Sequence, residues 1–586
     1  MSIKGTKQVT GAQALVDSLA KAGVEVLFGY PGGTVLDIFN CLPEAPFKFV
    51  LGRHEQGCAH MADGYARATG KPGVCLVTSG PGATNTITGL ATAFMDGVPL
   101  VLVTGQVPMS LIGTDAFQEA DVVGITRAVT KHNFLVSDAD ELPETVAEAF
   151  YIATHGKPGP VVIDIPKNVQ RQLTSATYPT RVSMRAYHPD CAAKTSQIVQ
   201  MAKLINNAKR PLIYAGGGVI ASGAAEDVAQ LAHKAEIPVV TTFMGIGAFD
   251  EHDPLSLRMA GMHGTPYANY AIHKSDLIIA LGCRFTDRVT GKLAEYAKDA
   301  DIIHVDIDES SIGKNVAVTL GIHADVKDVL RTVDARIRPA KHPQWMKQID
   351  EWRKKYPVGY QQMHEGVIMP QTVIESIDRA TNGEALIVTD VGQHQMWAAQ
   401  FFRHSKPRKF LSSGGMGTMG FAFPAAIGAQ IARPDATVVC ICGDGGAQMT
   451  FEELVVAVEH KLPIVFVVIN NECLGMVRQW QQLFYKKRYS GSILSVKGRL
   501  DNEKLDQDLP YDYLPDFCKL AEAHGAKAYR VINPADLDKV IAKAVASRQT
   551  CLVEAIVEPH ACVYPMIPAG QGLSSMILKP EPGTED

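Results

Sequence analysis

The sequence lacks long hydrophobic runs and any surplus of basic residues. No apolar run approaches the ~18 residues that a membrane-spanning helix needs. The N-terminal segment has no basic head followed by an apolar block, so we expect no signal peptide and predict a cytoplasmic protein. Lys and Arg number 56 against 61 Asp and Glu, and the net charge is −5. Without a basic footprint, neither nucleic acid nor a membrane is an expected partner.

The eleven cysteines are scattered and lack the paired spacing of zinc sites. Several lie inside apolar runs, among them Cys75, Cys283 and Cys440, so we expect reduced, buried side chains. The composition, 46% hydrophobic and 20% charged, is that of a globular protein. A chain of 586 residues is too long for a single core and predicts about three domains of ordinary size.

Short apolar runs alternate with helix-like segments along the whole chain. This alternation predicts an α/β fold of three doubly wound parallel-sheet domains, over residues 1–185, 190–340 and 365–586. The predicted strands are Val24–Phe28, Phe47–Leu51, Val74–Val77, Leu100–Val103 and Val161–Ile165, then runs near Leu212, Val239, Leu277, Ile302, Leu386, Thr437, Ile464, Tyr529 and Cys551.

Two segments interrupt this pattern. The polar stretch from Ser490 to Pro515 has the character of an insertion, and we expect a mobile loop. The segment from Met566 to Asp586 is rich in Gly, Pro and Ser, and we expect either a C-terminal lid or a disordered tail.

A βαβ unit in the third domain ends both of its strands in polar residues. The first strand runs into Gly443-Asp444-Gly445 and the second into Asn470-Asn471. The carboxyl ends of parallel strands open onto one crevice, so Asp444 and Asn471 are expected to be neighbours. Their hard oxygens suit Mg²⁺, which usually completes its coordination with water and phosphate oxygens. Between them, Thr450-x-x-Glu453 predicts a capping box at the start of the intervening helix.

A GDG tripeptide alone is usually only a turn. Strand, GDG, helix, strand and NN together resemble the motif with which thiamin diphosphate enzymes bind Mg²⁺ and the diphosphate. The resemblance implies that Asp444, Asn471 and Cys473 are the metal ligands. It implies that the residues binding thiamin diphosphate are Pro31, Gly32, Asn85, Gly392, Gln393, His394, Gly415, Met416, Met419, Gly443, Gly445, Gly446 and Met476.

In the first domain, a predicted strand runs into Gly52-Arg53-His54-Glu55, directly before a helix. By itself, a Glu in a first helical turn is most often a solvated residue favoured by the helix dipole. The resembling enzymes carry RHEQGAAHMADGYAR here, which this chain matches except at Cys58, and their Glu hydrogen-bonds the aminopyrimidine of the cofactor. The resemblance implies a catalytic Glu55. It also implies a homo-oligomer, a dimer or tetramer, because in this family Glu55 and Asp444 come from different subunits.

Four stretches resemble the acetohydroxyacid synthases within this family: GTDAFQEAD at 113–121, IPKNV, LGCRFTDRVTGK and GMVRQWQ. Alone, Arg288 reads as an ordinary surface residue, and Trp480 reads equally well as a core anchor. The resemblance implies that Arg288 binds the carboxylate of a second 2-ketoacid. Besides Glu55, the catalytic residues that it implies are Gly33, Phe117, Gln118, Lys167, Arg288 and Trp480.

The middle domain carries a glycine turn, Gly216-Gly217-Gly218, directly after a strand. This turn is not a complete GxGxxG fingerprint and is weak by itself. The resemblance implies FAD, without a redox role in turnover, although Lys157 stands where the family commonly has Arg, whose planar fork Lys lacks. The implied FAD-binding residues are Lys157, Gly216, Gly217, Gly218, Thr242, Phe243, Met244, Met262, His263, Gly282, Arg284, Asp287, Asp306, Ile307, Asp325 and Val326.

The function that the resemblance implies is synthesis of acetolactate. Pyruvate is decarboxylated on thiamin diphosphate, and the hydroxyethyl carbanion passes to a second pyruvate or to 2-ketobutyrate, the first common step of branched-chain amino-acid synthesis. Such synthases commonly bind a small regulatory subunit. The alternatives are a flavin-dependent pyruvate oxidase, another thiamin diphosphate-dependent 2-oxoacid decarboxylase, an FAD-free synthase and a non-enzymatic binding module. The pair Asp287-Arg288 disfavours the FAD-free synthase, and Glu55 with Asp444 and Asn471 disfavours the binding module.

Overall fold

The computed structural model describes residues 8–495 and 514–579. Within them, the chain forms three six-stranded sheets in which all neighbouring strands are parallel. The predicted fold class, three doubly wound parallel-sheet domains, is confirmed. The predicted insertion falls mostly outside the described residues, which omit 496–513.

The N-terminal domain begins with a short antiparallel pairing of β1 with β8. Its strands are β1 Val9–Thr10, β2 Val26–Tyr30, β3 Lys48–Leu51, β4 Gly73–Val77, β5 Leu100–Gln106, β6 His132–Leu135, β7 Pro160–Pro166 and β8 Leu173–Thr174. Its helices are α1 Gly11–Lys21, α2 Leu36–Phe39, α3 Glu55–Thr69, α4 Pro81–Thr84, α5 Ile87–Asp96, α6 Val122–Thr126, α7 Leu142–Thr154 and α8 Lys167–Arg171. The sheet order is β3-β2-β4-β5-β7-β6.

The central domain has the sheet order β11-β10-β9-β12-β13-β14, the order of a dinucleotide-binding fold. Its strands are β9 Pro211–Ala215, β10 Val239–Thr241, β11 Ser256–Met259, β12 Leu277–Leu281, β13 Asp301–Asp306 and β14 Leu320–His323. Its helices are α9 Thr195–Asn207, α10 Gly217–Ser222, α11 Ala225–Ala235, α12 Pro266–Lys274, α13 Asp287–Thr290, α14 Val326–Asp334 and α15 Pro343–Lys355. Helix α15 packs on this domain through Trp345 and Ile349, beyond residue 340.

The C-terminal domain has the sheet order β16-β15-β17-β18-β20-β19, which repeats the connectivity of the N-terminal sheet. Its strands are β15 Leu386–Thr389, β16 Phe410–Ser412, β17 Val438–Gly443, β18 Val465–Asn470, β19 Lys527–Val531 and β20 Cys551–Ile556. Its helices are α16 Pro370–Thr381, α17 Gln393–Phe401, α18 Ala422–Ala432, α19 Asp444–Ala447, α20 Leu454–Glu459, α21 Gly475–Phe484, α22 Phe517–Ala523 and α23 Pro534–Ala546.

The N- and C-terminal domains share one apolar core, because α3 and α18 cross at close range. A Cβ atom at Gly64 would overlap the backbone of Ala425, and one at Gly428 would overlap the carbonyl oxygen of Met61. Glycine therefore lets the two backbones touch. The start of α3, where Glu55 lies, is thereby fixed against the domain that carries Asp444.

The described segment from Met566 to Lys579 lies on the central domain. The Ile567 amide donates to the Met262 carbonyl, and the Lys292 amide donates to the Gln571 carbonyl at 3.0 Å each. Ile567 and Leu573 belong to the apolar cluster of the central domain. The expectation of a disordered tail is wrong for this described part, which covers the central domain. Across the described ranges, no helix is long and apolar enough to cross a membrane.

The predicted capping box is also wrong. A 3₁₀ turn covers Phe451–Glu453, and the α-helix begins only at Leu454. The Thr450 hydroxyl donates to the Gly420 carbonyl at 2.9 Å. The Glu453 carboxylate accepts hydrogen bonds from the N-terminal domain instead, because a long-range partner outcompetes the local capping bond.

Candidate functional site

Each sheet has a switch point, where the strand order reverses: between β2 and β4, between β9 and β12, and between β15 and β17. Ligands of open α/β sheets bind outside the carboxyl ends of the strands at such points. The predicted glycine motifs lie there. Residues 31–33 follow β2, residues 216–218 follow β9, and Gly392 and Gly443 lie at the ends of β15 and β17.

A cleft in the C-terminal domain contains the predicted metal ligands. Asp444 begins α19 directly after β17, and Asn471 follows β18, so the two meet as the sequence predicts. The predicted residues that line the cleft are Gly392, Gln393, His394, Met419, Gly443, Asp444, Gly445, Gly446, Asn471, Cys473 and Met476. We call this cleft the cradle.

The donors of the cradle fit a hard cation. Asp444 is buried, and its Oδ2 has no hydrogen-bond partner in the part of the chain that the structure describes. Burial raises the pKa of Asp444 to about 7, and a bound cation would favour its ionised form. The Asn471 side-chain N–H donates to Gln393 Oε1 at 3.2 Å, which fixes the orientation of the amide oxygen. One carboxylate and one amide oxygen suit Mg²⁺.

His394 lies above the glycines of the cradle. A Cβ atom at Gly392 or Gly443 would come within 2.9 Å or 3.0 Å of its ring, so a side chain at either position would displace the imidazole. Burial lowers the pKa of His394 to about 3, which keeps the imidazole neutral at physiological pH. Its Nε2 lacks a partner among residues 8–495 and 514–579. The hydrogen bond to the Asp390 backbone uses the other nitrogen, Nδ1, as the donor, so in the neutral ring Nε2 is an acceptor aimed at a donor group of the bound ligand.

The predicted catalytic residues of the N-terminal domain lie at the carboxyl edge of its sheet. Asn85 donates to Glu55 Oε2 at 2.9 Å, and the Lys167 ammonium donates to the Gly33 carbonyl at 2.7 Å. Gln118 has a φ of +60° and lies against the Gly80 turn. These contacts bring together Glu55 with Asn85, and Lys167 with Gly33.

The remaining predicted positions on this edge lie open. Phe117 is 87% exposed, and Pro31 and Gly33 are also exposed. Gly32 packs against Thr78, at 2.5 Å from an added Cβ. The cradle, by contrast, is lined by residues between 391 and 477 only. Glu55 and its neighbours therefore do not meet Asp444 within the cradle of their own chain.

A cavity of about 950 Å³ lies between the three domains. Its volume is at the upper end for small-molecule sites, about 300–1,000 Å³. Of the predicted FAD-binding residues, Gly216 alone is absent from the lining. The others are Lys157, Gly217, Gly218, Thr242, Phe243, Met244, Met262, His263, Gly282, Arg284, Asp287, Asp306, Ile307, Asp325 and Val326. Gly415 and Met416, predicted to bind thiamin diphosphate, line this cavity rather than the cradle.

The glycine turn of the central domain fits a ligand that approaches the backbone. An added Cβ at Gly216 would overlap the Gly282 carbonyl, so glycine at this position allows the turn to pack directly against the Gly282 backbone. Lys157 lies in the cavity wall and forms an ion pair with Asp308 at 3.1 Å. A glycine turn at a switch point with a cation beside it suits a dinucleotide.

The cradle and the large cavity meet at Met476, which lines both. Arg288 and Trp480 lie beside it. The Arg288 guanidinium carbon is 5.8 Å from the centre of the Trp480 ring, and its NH1 donates to Asp287 at 2.8 Å. The Arg288 side chain is 59% exposed. A partly solvated guanidinium next to an aromatic face suits a small carboxylate.

Sequence reasoning missed the contacts of Asp96, at the end of α5. Its buried carboxylate accepts the Gly414 and Gly415 amides at 3.1 Å and 2.7 Å, and pairs with Arg67 at 3.0 Å. Arg67 also pairs with buried Asp63. This network fixes the Gly414–Gly415 turn, which lines the large cavity. One signal could have indicated this network. Asp63 and Arg67 are charged residues four positions apart in α3, a helix that is otherwise mostly buried.

Three family models match the chain in order. They describe the N-terminal TPP-binding domain of thiamine pyrophosphate enzymes at residues 9–125, the central domain at 198–333, and the C-terminal TPP-binding domain at 390–555.

Curated relatives match nearly the whole chain. Acetolactate synthase of Mycobacterium leprae is 48% identical over 572 residues, 96% of this chain and 89% of that protein. Probable acetolactate synthase large subunit of Methanocaldococcus jannaschii is 44% identical over 579 residues, 97% and 95%. Acetolactate synthase isozyme 3 large subunit of Escherichia coli is 43% identical over 585 residues, 98% and 99%. These matches favour the synthase over the oxidase and decarboxylase alternatives, and the chain belongs to the thiamine pyrophosphate enzyme family, among its acetolactate synthase large subunits.

Proposed function

We propose that this chain joins two pyruvate molecules into acetolactate with loss of CO₂, and accepts 2-ketobutyrate as an alternative second substrate. The observation that supports the proposal is the cradle, whose buried Asp444 presents an unpartnered oxygen, in the described structure, beside Asn471. Arg288 and Trp480, in the wall of the large cavity that adjoins the cradle at Met476, add a carboxylate-binding pair. This combination suits a cofactor-bound first ketoacid and a second ketoacid recognised by charge.

The roles of the residues follow from their chemistry. Thiamin diphosphate, when bound, supplies the electron sink for the loss of CO₂ from pyruvate. Asp444, Asn471 and the backbone near Cys473 would hold Mg²⁺ against the diphosphate. Glu55, oriented by Asn85, would hydrogen-bond the pyrimidine ring and so control proton transfer at the thiazolium carbon.

Arg288 would bind the carboxylate of the second ketoacid through charge-assisted hydrogen bonds. Trp480 would bound the space for its alkyl group, the only difference between pyruvate and 2-ketobutyrate. Phe117, Gln118, Gly33 and Lys167 would close the site from the N-terminal domain. FAD would occupy the large cavity without a redox role in turnover.

We infer that the working protein is at least a homodimer. Each chain carries Glu55 at the carboxyl edge of the N-terminal sheet. Its Asp444 lies in a cradle whose described lining contains no residue of the N-terminal domain. A second copy that brings its Glu55 edge to the cradle would complete both sites at once. The E. coli and M. jannaschii relatives are named large subunits. A small regulatory subunit is therefore a proposed partner, and a cytoplasmic location stays a prediction.

The test is to incubate the purified protein with Mg²⁺, thiamin diphosphate, FAD and pyruvate, with and without 2-ketobutyrate, and to identify the products by chromatography. We expect acetolactate, and acetohydroxybutyrate when 2-ketobutyrate is added. Glu55→Gln should abolish turnover and keep the wild-type melting temperature. Bleaching of the flavin by anaerobic pyruvate at the rate of turnover would instead identify an oxidase.

A further inference from the structure

Glu453 is a fully buried carboxylate between the N- and C-terminal domains, nine positions after Asp444. We propose that Glu453 is a positioning residue: it fixes the turn that presents Glu55 and connects that turn to the segment carrying Asp444. The inference rests on the proposed function, because Glu55 is useful only if it acts on a cofactor.

The contacts of Glu453 converge on the two residues that precede Glu55. Its Oε1 accepts the His54 amide at 2.9 Å and the Arg53 amide at 3.1 Å, and its Oε2 accepts the Arg53 amide at 3.0 Å. Arg53 and His54 lie between β3 and α3, where neither amide belongs to the sheet or to the helix. The carboxylate thus satisfies two backbone donors that the turn itself leaves open.

The first turn of α3 is shaped to admit this carboxylate. An added Cβ at Gly57 would overlap Glu453 Oε1, so a residue larger than glycine would displace the side chain. The Arg53 guanidinium donates to the carbonyls of Leu51 and Gly52 and pairs with Glu459 at 2.7 Å. The Arg53 side chain therefore does not contact Glu453 through these bonds, and only its backbone amide does.

The charged groups facing Glu453 are few. Glu452 raises its pKa and Arg53 lowers it, but burial dominates and raises the pKa of Glu453 to about 8. A buried carboxylate with two amides as its hydrogen-bond donors is an expensive way to gain stability, because desolvation offsets most of the attraction. A positional role explains its presence better, since two convergent hydrogen bonds fix a backbone turn in one geometry.

Fixing this turn matters for Glu55 because catalytic groups tolerate little displacement. A misplacement of about 1 Å can cost about 100-fold in rate. Asn85 holds the Glu55 carboxylate from the side, and Glu453 holds the backbone from which it projects. In a dimer with shared sites, Glu453 would join the cradle of one site to the Glu55 of the other.

The experiment uses three full-length variants. Glu453→Ala removes the acceptor of both backbone amides. Glu453→Gln replaces the acid by an amide, whose oxygen can still accept from Arg53 and His54, since one oxygen of Glu453 already contacts both. Glu459→Gln is the matched control, because it removes a different carboxylate that contacts Arg53 only through exposed side chains.

The first measurement is backbone hydrogen–deuterium exchange of the apoprotein over residues 52–58. We expect at least tenfold faster exchange in Glu453→Ala, and wild-type rates in Glu453→Gln and Glu459→Gln. The second is exchange of the C2 proton of bound thiamin diphosphate, followed by acid quench and NMR. We expect about 10–100-fold slower exchange in Glu453→Ala, a loss under fivefold in Glu453→Gln, and Mg²⁺ and cofactor affinities within threefold of wild type.

Two outcomes would overturn the positioning role. One is wild-type C2 exchange in Glu453→Ala despite a deprotected turn. The other is equal slowing in Glu453→Gln and Glu453→Ala with the turn still protected, which would assign the effect to the acid group itself rather than to the turn. Failure of the proposed function is a separate result, seen when the wild-type protein exchanges the C2 proton but forms no acetolactate.

Discussion

Replacing Asp96 should loosen the Gly414–Gly415 turn in the wall of the large cavity. Its buried carboxylate is the acceptor for the Gly414 and Gly415 amides and the partner of Arg67. Breaking a buried ion pair by removing one partner costs about 3–5 kcal/mol. Arg67 keeps Asp63 as a partner, so we place Asp96→Ala at the lower end, about 3 kcal/mol. Asp96→Asn keeps an acceptor and loses the charge, which should cost about half as much.

These costs translate into measurable shifts. At about 2–4 °C per kcal/mol for a domain of this size, Asp96→Ala should melt about 6–12 °C lower. FAD should also bind more weakly, because Gly414 and Gly415 line the large cavity. Differential scanning calorimetry and flavin fluorescence titration measure the two effects. Asp37→Ala is the control, since it breaks the exposed ion pair with Arg171, worth about 0–1 kcal/mol. An Asp96→Ala protein with wild-type melting and wild-type FAD affinity would refute the reasoning.

Three further changes test the rest of the site. Asp444→Asn should weaken Mg²⁺ binding in the presence of thiamin diphosphate by at least about tenfold, since even residues behind metal ligands are worth about 10–100-fold; calorimetric titration measures it, and an unchanged affinity would remove Asp444 from the ligands. Arg288→Gln should lower kcat/KM for the second ketoacid by about 10–100-fold, because a hydrogen bond to a charged group is worth about 1.5–3 kcal/mol; initial rates at varied 2-ketobutyrate measure it, and an equal kcat/KM would argue against the assigned role. Burial raises the pKa of Asp164 to about 7, so the folded state binds this proton more tightly than the unfolded chain. That contribution to stability is complete below about pH 4 and is lost as the pH rises to about 7. Between pH 5 and pH 7, the wild type should lose stability relative to Asp164→Asn by about 1.4 kcal/mol per pH unit. Thermal unfolding of both proteins at the two pH values measures this, and an equal stability difference between them at pH 5 and pH 7 would contradict it.

The sequence predicts the interior strands of all three sheets and misses particular edge strands. Within the six-stranded sheets, the strands absent from the prediction are β6, β11, β14 and β16, and each lies at an edge; the short strands β1 and β8, which pair only with each other, are also absent from it. Strands such as β5 and β7 are buried on both faces and read as continuous apolar runs. The edge strand β6 has no fully buried residue, and its sequence, HNFL, carries no comparable run.

The contacts of the candidate site likewise fall into those that the sequence predicts and those that it does not. Asp444 and Asn471 were predictable as neighbours, because parallel strands place their carboxyl ends on one edge. The contacts of Glu453 were not, since its partners lie about 400 positions earlier in the chain. A pattern of residues within one helix cannot distinguish a local cap from a bond to another domain. The crossing of α3 and α18 decides between them.

The path of the last described segment bears on how the protein can be divided into fragments. Residues from Ile567 to Leu573 cover the central domain and contact the loop after Arg288. A recombinant fragment that ends near residue 340 would lose this cover along with Trp345, and would expose apolar surface prone to aggregation.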